Sequence, residues 1–593
     1  MTTVAASSSS AGSPRRAQLG GRPGWLTPWR MYGLMCAAAL AVAALSLLAP
    51  STPSYDPWAW IVWGREIMLH GTLHTPGGPT WKPLPVVFTT VLALFGHAAP
   101  NLWLVVARAG AAVAVLMIGR LAFRATRWLA GADAEPIRAW LPAVLAALTA
   151  MVGLALSSNF LSSSALGYSE GLAMAAMLVG IDRHLDGHPR EAFALGFITA
   201  LDRPEVWLFW GPYGLWLMWK DPGSRPLVIG LAIATLALWF VPQKIGGGSF
   251  TSGVSRAHHP RLNSAAYTKC PFCTEFEHDA WPKVMLRTKL AAIAAILVSL
   301  GMLVYGWRRA NATDRRGAAN GHGTDGGSRT GGASATGGRS FAGISLRAIG
   351  LSTERERALA LIALTGIVGF GWWVLISLET QAGFSGNTRY IVIGSSLIYL
   401  CGSIAYGWAA LAIADAIGRW RGVAARGATI AATAVLALVF AFVPHWVGGS
   451  LVSLPKTHRS LVYQASLRTD LTSLIAHGGG VDRLKTCGAG RIMIEGFQVP
   501  MAAWYFGVRT LDIYDQPTNA DGTLSGVVGP PWPNVIFQDR DTGGTSAALL
   551  PLWTTINGWI SDGARYTVYT AEHMRMFIDC RPQPNDQRQS WKA

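Results

Sequence analysis

The sequence predicts a polytopic α-helical membrane protein with about eleven transmembrane helices and a C-terminal soluble α/β domain. Of its 593 residues, 51% are hydrophobic and only 14% are charged, against about 25% charged in average soluble proteins. The mean hydropathy is +0.31. These values exclude a disordered chain and argue against an ordinary soluble enzyme. Apolar stretches long enough to cross a bilayer recur as far as residue 446 and stop there.

The first transmembrane helix is predicted at residues 31–49, an Ala-rich apolar stretch. Residues 1–30, which precede it, are rich in Ser, Gly and Arg and contain no acid, so they predict a disordered cytoplasmic tail. A signal peptide is the competing interpretation of 31–49. The long polar segment before it and the lack of a clean cleavage site favour an uncleaved span.

Ten further spans follow from the rule that a crossing helix needs about 20 apolar residues. They complete a membrane domain over residues 31–446 and lie at 102–122, 137–156, 166–181, 191–203, 205–219, 227–243, 288–307, 358–378, 390–415 and 428–446. The weak point is residues 191–219, where Asp202, Arg203 and Glu205 interrupt the apolar run. Two short spans return the chain to the cytoplasm, whereas one broken helix inverts everything downstream.

Basic residues support this topology. The chain carries 49 Lys and Arg against 32 Asp and Glu, a net charge of +17, and many of the arginines lie in short runs beside apolar stretches. Lys and Arg concentrate in the cytoplasmic loops of membrane proteins. The pattern therefore predicts a multi-pass protein of the plasma membrane in contact with lipid, with a cytoplasmic N-terminus and no nucleic-acid partner. It also predicts a flexible cytoplasmic linker at 308–357, which is rich in Gly and Ser.

The outer loops contain two shorter apolar segments. The first outer loop, 50–101, includes an amphipathic stretch from Trp58 to Leu69 that predicts a helix lying along the membrane interface. It also includes a short apolar run at 84–95, which predicts an interfacial or re-entrant segment. A second outer loop spans 244–287.

Residues 447–593 alternate short apolar runs with helical segments, as expected for an extracytoplasmic α/β domain. Cys487 and Cys580 both lie there and are free to form a disulfide on that side of the membrane. Cys270 and Cys273 form a CxxC sequence in the second outer loop, for which a small disulfide is the favoured interpretation. Zinc held with nearby histidines (His258, His259 or His278) and redox chemistry are the alternatives.

One carboxylate stands out in the first outer loop. Asp56 follows the first span by a few residues, at the membrane surface where the head group of a lipid-linked substrate lies. It precedes Pro57, so it is a candidate helix N-cap as well as a candidate general base.

The run DPWAWIVWGRE from Asp56 to Glu66, the Gly77–Pro85 stretch and the overall architecture resemble the GT-C glycosyltransferases. These include protein O-mannosyltransferases, aminoarabinose transferases and actinobacterial arabinofuranosyl- and mannosyltransferases. The actinobacterial type is the most similar, although no subfamily is assigned. The resemblance implies inverting transfer from a polyprenyl-phosphate sugar, with Asp56 removing the proton from the acceptor hydroxyl. Glu66 is the second acid of the loop, and its role stays open.

Three cations are candidates for the leaving phosphate: Lys82, Arg203 and Arg389, the last within an Arg-Tyr pair with Tyr390. Arg suits phosphate through its planar fork of donors. Contact with phospholipid head groups is the alternative for each cation. Glu170 and Glu205 are candidates for binding sugar hydroxyls, and an internal ion pair is their alternative.

The predicted function is therefore transfer of a sugar to a cell-envelope glycan, lipid or protein. A transporter or flippase of lipid-linked sugars and a non-catalytic glycan-binding scaffold are the alternatives. We expect no cofactor, although a divalent metal ion stays open, and the sequence leaves the sugar, the acceptor and the oligomeric state open.

Overall fold

The computed structural model describes residues 27–258, 264–320, 353–422, 424–441, 451–515, 531–539, 554–583, 587, 589 and 591. The N-terminal tail predicted at 1–30 lies outside these ranges up to residue 26. The helices described before residue 450 are α1 (Pro28–Leu45), α2 (Tyr55–Arg65), α3 (Pro83–Leu92), α4 (Ala99–Ala130), α5 (Pro136–Ala155), α6 (Ser158–Ala165), α7 (Glu170–Leu185), α8 (Pro189–Ala200), α9 (Trp207–Lys220), α10 (Arg225–Gly247), α11 (Ser252–Ala257), α12 (Pro271–Cys273), α13 (Leu286–Asn320), α14 (Glu354–Gln381), α15 (Val392–Arg421) and α16 (Ala425–Ala441).

The described residues include seven helical segments that are long and apolar enough to cross a membrane, or eight if one bent pair counts as a span. Seven of the eleven predicted spans coincide with these segments: 31–49, 102–122, 137–156, 227–243, 288–307, 358–378 and 390–415. The chain is thus a multi-pass helical membrane protein. Of the remaining predictions, 428–446 corresponds to the shorter helix α16.

Local sequence explains where several helices begin. Pro occupies the first turn of α1, α4 and α5, where its missing N–H costs no intrahelical hydrogen bond. A capping box starts α14: Thr353 Oγ1 accepts from Glu356 N at 3.1 Å, and Glu356 Oε2 accepts from Thr353 N at 3.0 Å. Helix already occupies 308–320 and begins again at Glu354. The linker predicted at 308–357 is therefore shorter than expected, and its residues 321–352 lie outside the described ranges.

The ambiguous stretch 191–219 forms two helices that run antiparallel. Trp207 Nε1 donates to Ala200 O at 3.1 Å at one end of the pair, and Arg190 pairs with Asp221 at 2.7 Å at the other end. The alternative of one broken helix is therefore wrong. At 12 and 14 residues, α8 and α9 are about 18 and 21 Å long, which is shorter than the hydrocarbon core of a typical bilayer.

The span predicted at 166–181 is not one continuous helix. The axis of α6 meets that of α7 at a bend of 115°, and α7 begins only at Glu170. The break contains Gly167 with φ of 81°, a left-handed conformation that favours glycine. The bend places the N-terminus of α7, and not the middle of a span, beside the first outer loop.

Helix α2 is not the amphipathic interfacial helix that Trp58–Leu69 predicted. Residues 56–66 are all buried, because α3, α4 and the C-terminal domain cover the helix. The short apolar run at 84–95 lies mostly in α3, which packs on α2 and leads into α4 through a kink at Gly96 with φ of 54°. A sequence that is apolar on most sides indicates burial more than interface.

The C-terminal domain contains α17 (Leu454–His477), α18 (Val481–Lys485), α19 (Val499–Phe506) and α20 (Thr554–Ser561), with strands β1 (Ile492–Ile494), β2 (Tyr514–Asp515), β3 (Val535–Asp539), β4 (Thr567–Thr570) and β5 (Met574–Ile578). The strand order is β2-β1-β3-β5-β4, with β1 parallel to β2 and β3, and β5 antiparallel to β3 and β4. A disulfide joins Cys487 to Cys580, and a second joins Cys270 to Cys273.

Candidate active site

Seven charged residues meet at one end of the helical bundle and are called the Asp56 cluster below. Five segments that are distant in the sequence supply them, each at a helix start or in a loop between helices. The seven residues are Asp56, Lys82, Glu170, Asp202, Arg203, Glu205 and Arg389. Asp56 lies in the first turn of α2 and Lys82 immediately precedes α3. Glu170 opens α7. The segment between α8 and α9 and the loop before α15 supply the others.

Short ion pairs connect the cluster. Arg389 Nη2 donates to Asp56 Oδ2 at 2.5 Å, and Arg203 Nη2 donates to Glu170 Oε1 at 2.6 Å. Lys82 Nζ donates to the same Glu170 oxygen at 3.3 Å. Glu170 therefore gathers two cations, while Arg389 Nε lies 4.0 Å from it. The arrangement brings three positive side chains around one carboxylate.

The cluster holds three cations and four carboxylates, and its central members are buried. Asp56 is 7% exposed, Arg389 8% and Glu170 3%. Removing so many charges from water is costly even when they are paired. Ionisable groups inside membrane proteins at such cost usually serve a substrate or ion, so this cluster is the candidate active site.

Aromatic rings form part of its walls. The guanidinium of Arg389 lies 4.2 Å from the ring centroid of Tyr168, and that of Arg203 lies 3.9 Å from that of Tyr390. Lys82 lies 5.6 Å from the ring of Trp60. The negative faces of these rings attract the cations and fix their orientation.

Several donors of the two arginines are unused. Arg389 Nε and Nη1 and Arg203 Nε are buried and have no hydrogen-bond partner among the described residues. Buried polar atoms in proteins are nearly always paired, so each exception calls for an explanation. Unused guanidinium donors that converge in a buried site are suited to binding an anion such as phosphate.

The loop that carries Arg389 is anchored on both sides. Asn159 Nδ2 donates to Thr388 O at 2.8 Å, and Trp372 Nε1 donates to Tyr390 O at 2.8 Å. Burial lowers the pKa of Arg389, but the negative groups around it, with Asp56 the strongest, together outweigh burial and raise that pKa well above its ordinary value. Arg389 therefore keeps its positive charge throughout the physiological range.

Glu275 supports the same loop from the second outer loop. It is fully buried, and a Cβ at Gly386 would lie 2.5 Å from its Oε2 atom, so the position requires glycine. Burial raises the pKa of Glu275 to about 8. The sequence analysis missed this residue, whose one visible signal is its place two residues after the CxxC sequence.

The structure brings together seven of the eight predicted site residues and leaves Glu66 apart. Ten residues separate Glu66 from Asp56, which is about 15 Å along a helix. Glu66 Oε2 accepts from His74 N at 2.7 Å and lies 3.2 Å from His74 Nδ1. Burial raises the pKa of Glu66 to about 7. It is a buried partner of the first outer loop and not a second acid beside Asp56.

Two residues of the site were absent from the predicted set. Asp202 lies 3.8 Å from Lys82 Nζ and accepts from Ser169 Oγ at 2.6 Å. Tyr168 stacks on Arg389 and its hydroxyl lies 3.1 Å from Ser54 Oγ. Asp202 directly precedes Arg203, and Tyr168 lies two residues before Glu170. This closeness to predicted site residues is the sequence signal that could have identified them.

The described residues contain no group of three or more His, Cys, Asp or Glu side chains arranged to hold a metal ion. Cys270 and Cys273 are paired with each other, and His258 packs on Phe384 with ring centroids 3.9 Å apart. His259 lies outside the described residues. A disulfide thus closes the short CxxC turn within the second outer loop.

The comparisons with known proteins are weak. No family model matches the chain, and no curated protein matches it. Solved structures of ArnT from Cupriavidus metallidurans, one in the apo state and one bound to undecaprenyl phosphate, are similar to it at 11% identity. The alignments cover 93% of this chain and 98% of the ArnT chain, with TM-scores of 0.42 and 0.41. A likeness at this score does not assign a function, which has to rest on the residues of the site.

Proposed function

We propose that the chain is an inverting glycosyltransferase of the plasma membrane. It moves a sugar from a polyprenyl-phosphate donor to a cell-envelope glycan, lipid or protein on the outer face, as part of cell-wall biogenesis in an actinobacterium. The sugar is a hexose or a pentose. The N-terminus lies in the cytoplasm, and the C-terminal domain lies outside, where its disulfide between Cys487 and Cys580 is stable.

The observation that supports the proposal is the pair between Asp56 and Arg389 beside two further cations. Transfer from a lipid phosphate needs a base for the acceptor and positive charge for the leaving phosphate. The Asp56 cluster contains one carboxylate near the end of the first span and three cations within reach of one another. A scaffold without chemistry requires neither, and burial of Asp56 against Arg389 argues against one.

In the proposed reaction the donor phosphate binds Arg389, Arg203 and Lys82, and Glu205 and Tyr390 contact the sugar. Asp56 accepts the proton of the acceptor hydroxyl as its oxygen attacks the anomeric carbon. The bond from that carbon to the phosphate oxygen breaks on the opposite face of the sugar, and polyprenyl phosphate leaves with the electron pair. Attack from the opposite face inverts the anomeric configuration.

Asp56 Oδ2 accepts from Arg389 Nη2 in this structure, so we propose that the carboxylate leaves its arginine when it takes the proton of the acceptor hydroxyl. We propose that binding of the sugar donor separates Asp56 from Arg389. The donor phosphate competes for the guanidinium of Arg389, whose Nε and Nη1 are already without a partner among the described residues. Donor binding thus frees the carboxylate of Asp56 at the moment when the acceptor requires it. Lys82, Arg203 and Arg389 supply hydrogen-bond donors to the phosphate, and we propose that the reaction needs no metal ion.

The test is transfer of radiolabelled sugar from polyprenyl-phosphate arabinose, mannose and glucose to crude envelope acceptors. We compare the wild type with Asp56→Asn. The matched control is Asp415→Asn, since Asp415 also pairs with an arginine, Arg138, at 2.6 Å. Transfer that is lost in Asp56→Asn and kept in Asp415→Asn supports the proposal. Transfer that persists in Asp56→Asn contradicts the assigned base. Donor movement across liposomes without any transfer favours the flippase.

A further inference from the structure

Helix α2 lies between the membrane domain and the C-terminal domain. Residues nine positions apart on an α-helix point in opposite directions, since each residue turns the helix by about 100°. Asp56 and Arg65 have this spacing. Asp56 faces Arg389, and Trp60, on nearly the same side, contacts Trp103 and Lys82.

The opposite face of α2 contacts the C-terminal domain. The rings of Trp504 and Tyr505 lie 6.5 and 5.9 Å from the ring of Trp58. Arg65 lies seven residues after Trp58, on nearly the same side of the helix. One face of α2 therefore contacts the candidate active site, and the opposite face contacts α19.

Arg65 makes the most specific contact across this interface. Its Nη1 donates to Trp504 O at 3.0 Å and its Nη2 donates to Val508 O at 2.6 Å, with longer bonds of 3.4 and 3.5 Å to Ala503 O. The guanidinium also lies 5.2 Å from the Trp504 ring, and the residue is 8% exposed. These carbonyls end α19 or directly follow it, where the helix carries partial negative charge. Ala503 O and Trp504 O also accept from the backbone N–H groups of Val508 and Gly507, so Arg65 adds a second donor to each.

We propose that Arg65 is a positioning residue, through which docking of the C-terminal domain sets the place of Asp56 opposite Arg389. The proposal rests on the proposed function for the role of Asp56. Helix α2 has 11 residues and is about 16 Å long, so a shift at Arg65 moves Asp56 as part of one rigid element. Glu66, the next residue, accepts from His74 and fixes the same end of α2 to the first outer loop.

A planar guanidinium is needed because the acceptors lie in different directions. One terminal nitrogen donates to Trp504 O in the last turn of α19, and the other donates to Val508 O just after the helix. A lysine at this position retains the charge but offers one point of attachment. The substitution Arg65→Lys therefore weakens docking while keeping the buried charge and most of the apolar stem.

Hydrogen–deuterium exchange of the full chain in lipid nanodiscs tests the docking directly. In Arg65→Lys we expect the amides of α2 to exchange about tenfold faster or more, because hydrogen bonds to charged groups are among the stronger ones. The matched control is Arg581→Lys, since Arg581 donates to Gly563 O at 3.0 Å and pairs with Asp579 within the C-terminal domain alone. Unchanged exchange of α2 in Arg65→Lys overturns the proposal.

Kinetics separate positioning from simple loss of folded protein. We expect Arg65→Lys to lower kcat per folded molecule about tenfold while the KM for the donor changes less than about twofold, since tenfold in rate corresponds to 1.36 kcal/mol of barrier. A lower yield of folded protein together with an unchanged kcat per folded molecule would contradict the positioning role of Arg65. The milder variant Trp504→Phe keeps every carbonyl acceptor and should show a smaller effect of the same sign. A wild type that transfers no sugar refutes the proposed function, and the exchange result still decides the docking.

Discussion

Two buried charge clusters occupy opposite ends of the bundle, and their hydrogen bonding differs. The second, called the Asp182 cluster, consists of Tyr32, Arg120, Arg124, Asp182 and Asp186. There both oxygens of Asp182 are satisfied: Tyr32 donates at 2.6 Å, Arg124 at 2.7 Å and Arg120 at 2.8 Å. Among the described residues its one unpaired buried atom is Arg120 Nη2.

The Asp56 cluster leaves more of its buried hydrogen-bonding atoms without a partner among the described residues. One oxygen each of Glu170, Asp202 and Glu205 has no hydrogen-bond partner among the described residues, and neither do two nitrogens of Arg389. Both clusters bear the cost of burying charge, yet only the Asp182 cluster offsets it with nearly complete pairing. The Asp182 cluster therefore joins helices, whereas the Asp56 cluster has buried donors and acceptors available to a polar ligand.

The largest expected effects come from removing the central acid of each cluster. Asp56→Asn should lower transfer per folded molecule at least about 100-fold, the usual contribution of a general base, and should also cost stability, because Arg389 loses its carboxylate partner. Asp182→Asn should cost about 2 kcal/mol of stability, because Tyr32, Arg120 and Arg124 lose a charged acceptor, while transfer per folded molecule persists. Transfer assays and thermal denaturation of both variants check this. Equal losses of transfer per folded molecule would remove the distinction between the clusters.

Arg389 should govern the use of the donor. Arg389→Gln is expected to raise the KM for the polyprenyl-phosphate sugar about tenfold or more, because hydrogen bonds between charged groups are lost. Arg138→Gln, which removes the arginine of the Asp415 pair, serves as the matched control and should leave that KM unchanged. Steady-state kinetics with varied donor give the answer. An unaltered KM in Arg389→Gln would exclude Arg389 from the phosphate site.

Removing divalent metal should have little effect. The proposal assigns binding of the leaving phosphate to Lys82, Arg203 and Arg389, so transfer in the presence of excess EDTA should equal transfer with added Mg²⁺ or Mn²⁺. The measurement is the initial rate after dialysis against chelator. Complete loss of activity that Mg²⁺ restores would show that the cations alone are insufficient.

The last expected effect concerns Glu66, which lies outside both clusters. Burial raises its pKa from 4.5 to about 7, so the folded chain binds a proton there that the unfolded chain has already released. Its contribution to stability is complete below about pH 4.5 and is lost as the pH rises to about 7. Thermal stability of Glu66→Gln relative to wild type should therefore increase over this range. A constant difference between the two proteins across that range would contradict the raised pKa.

Local patterns in the sequence predicted much of the membrane domain and most of the site. Apolar length located seven spans, and the position of Asp56 after the first span identified the centre of the cluster. The apolar pattern gave the wrong environment where tertiary contacts determine burial. Helix α2 was predicted to lie at the membrane interface, but α19 covers it. Glu66 was grouped with Asp56 because both lie in one loop, although helical geometry separates them. The contact between Arg65 and α19 joins residues 438 to 443 positions apart, which no local pattern reveals.

Binding of polyprenyl phosphate, without sugar or acceptor, tests the central claim most directly. The account predicts that the lipid raises the melting temperature of the wild type, because a ligand that binds only the folded state stabilises it. It should bind Asp56→Asn at least as tightly, since Arg389 no longer has a competing carboxylate, and Arg389→Gln about tenfold more weakly. Asp415→Asn should match the wild type. No binding by the wild type, or weakening in Asp56→Asn as large as in Arg389→Gln, would contradict the exchange of Arg389 between Asp56 and the donor phosphate.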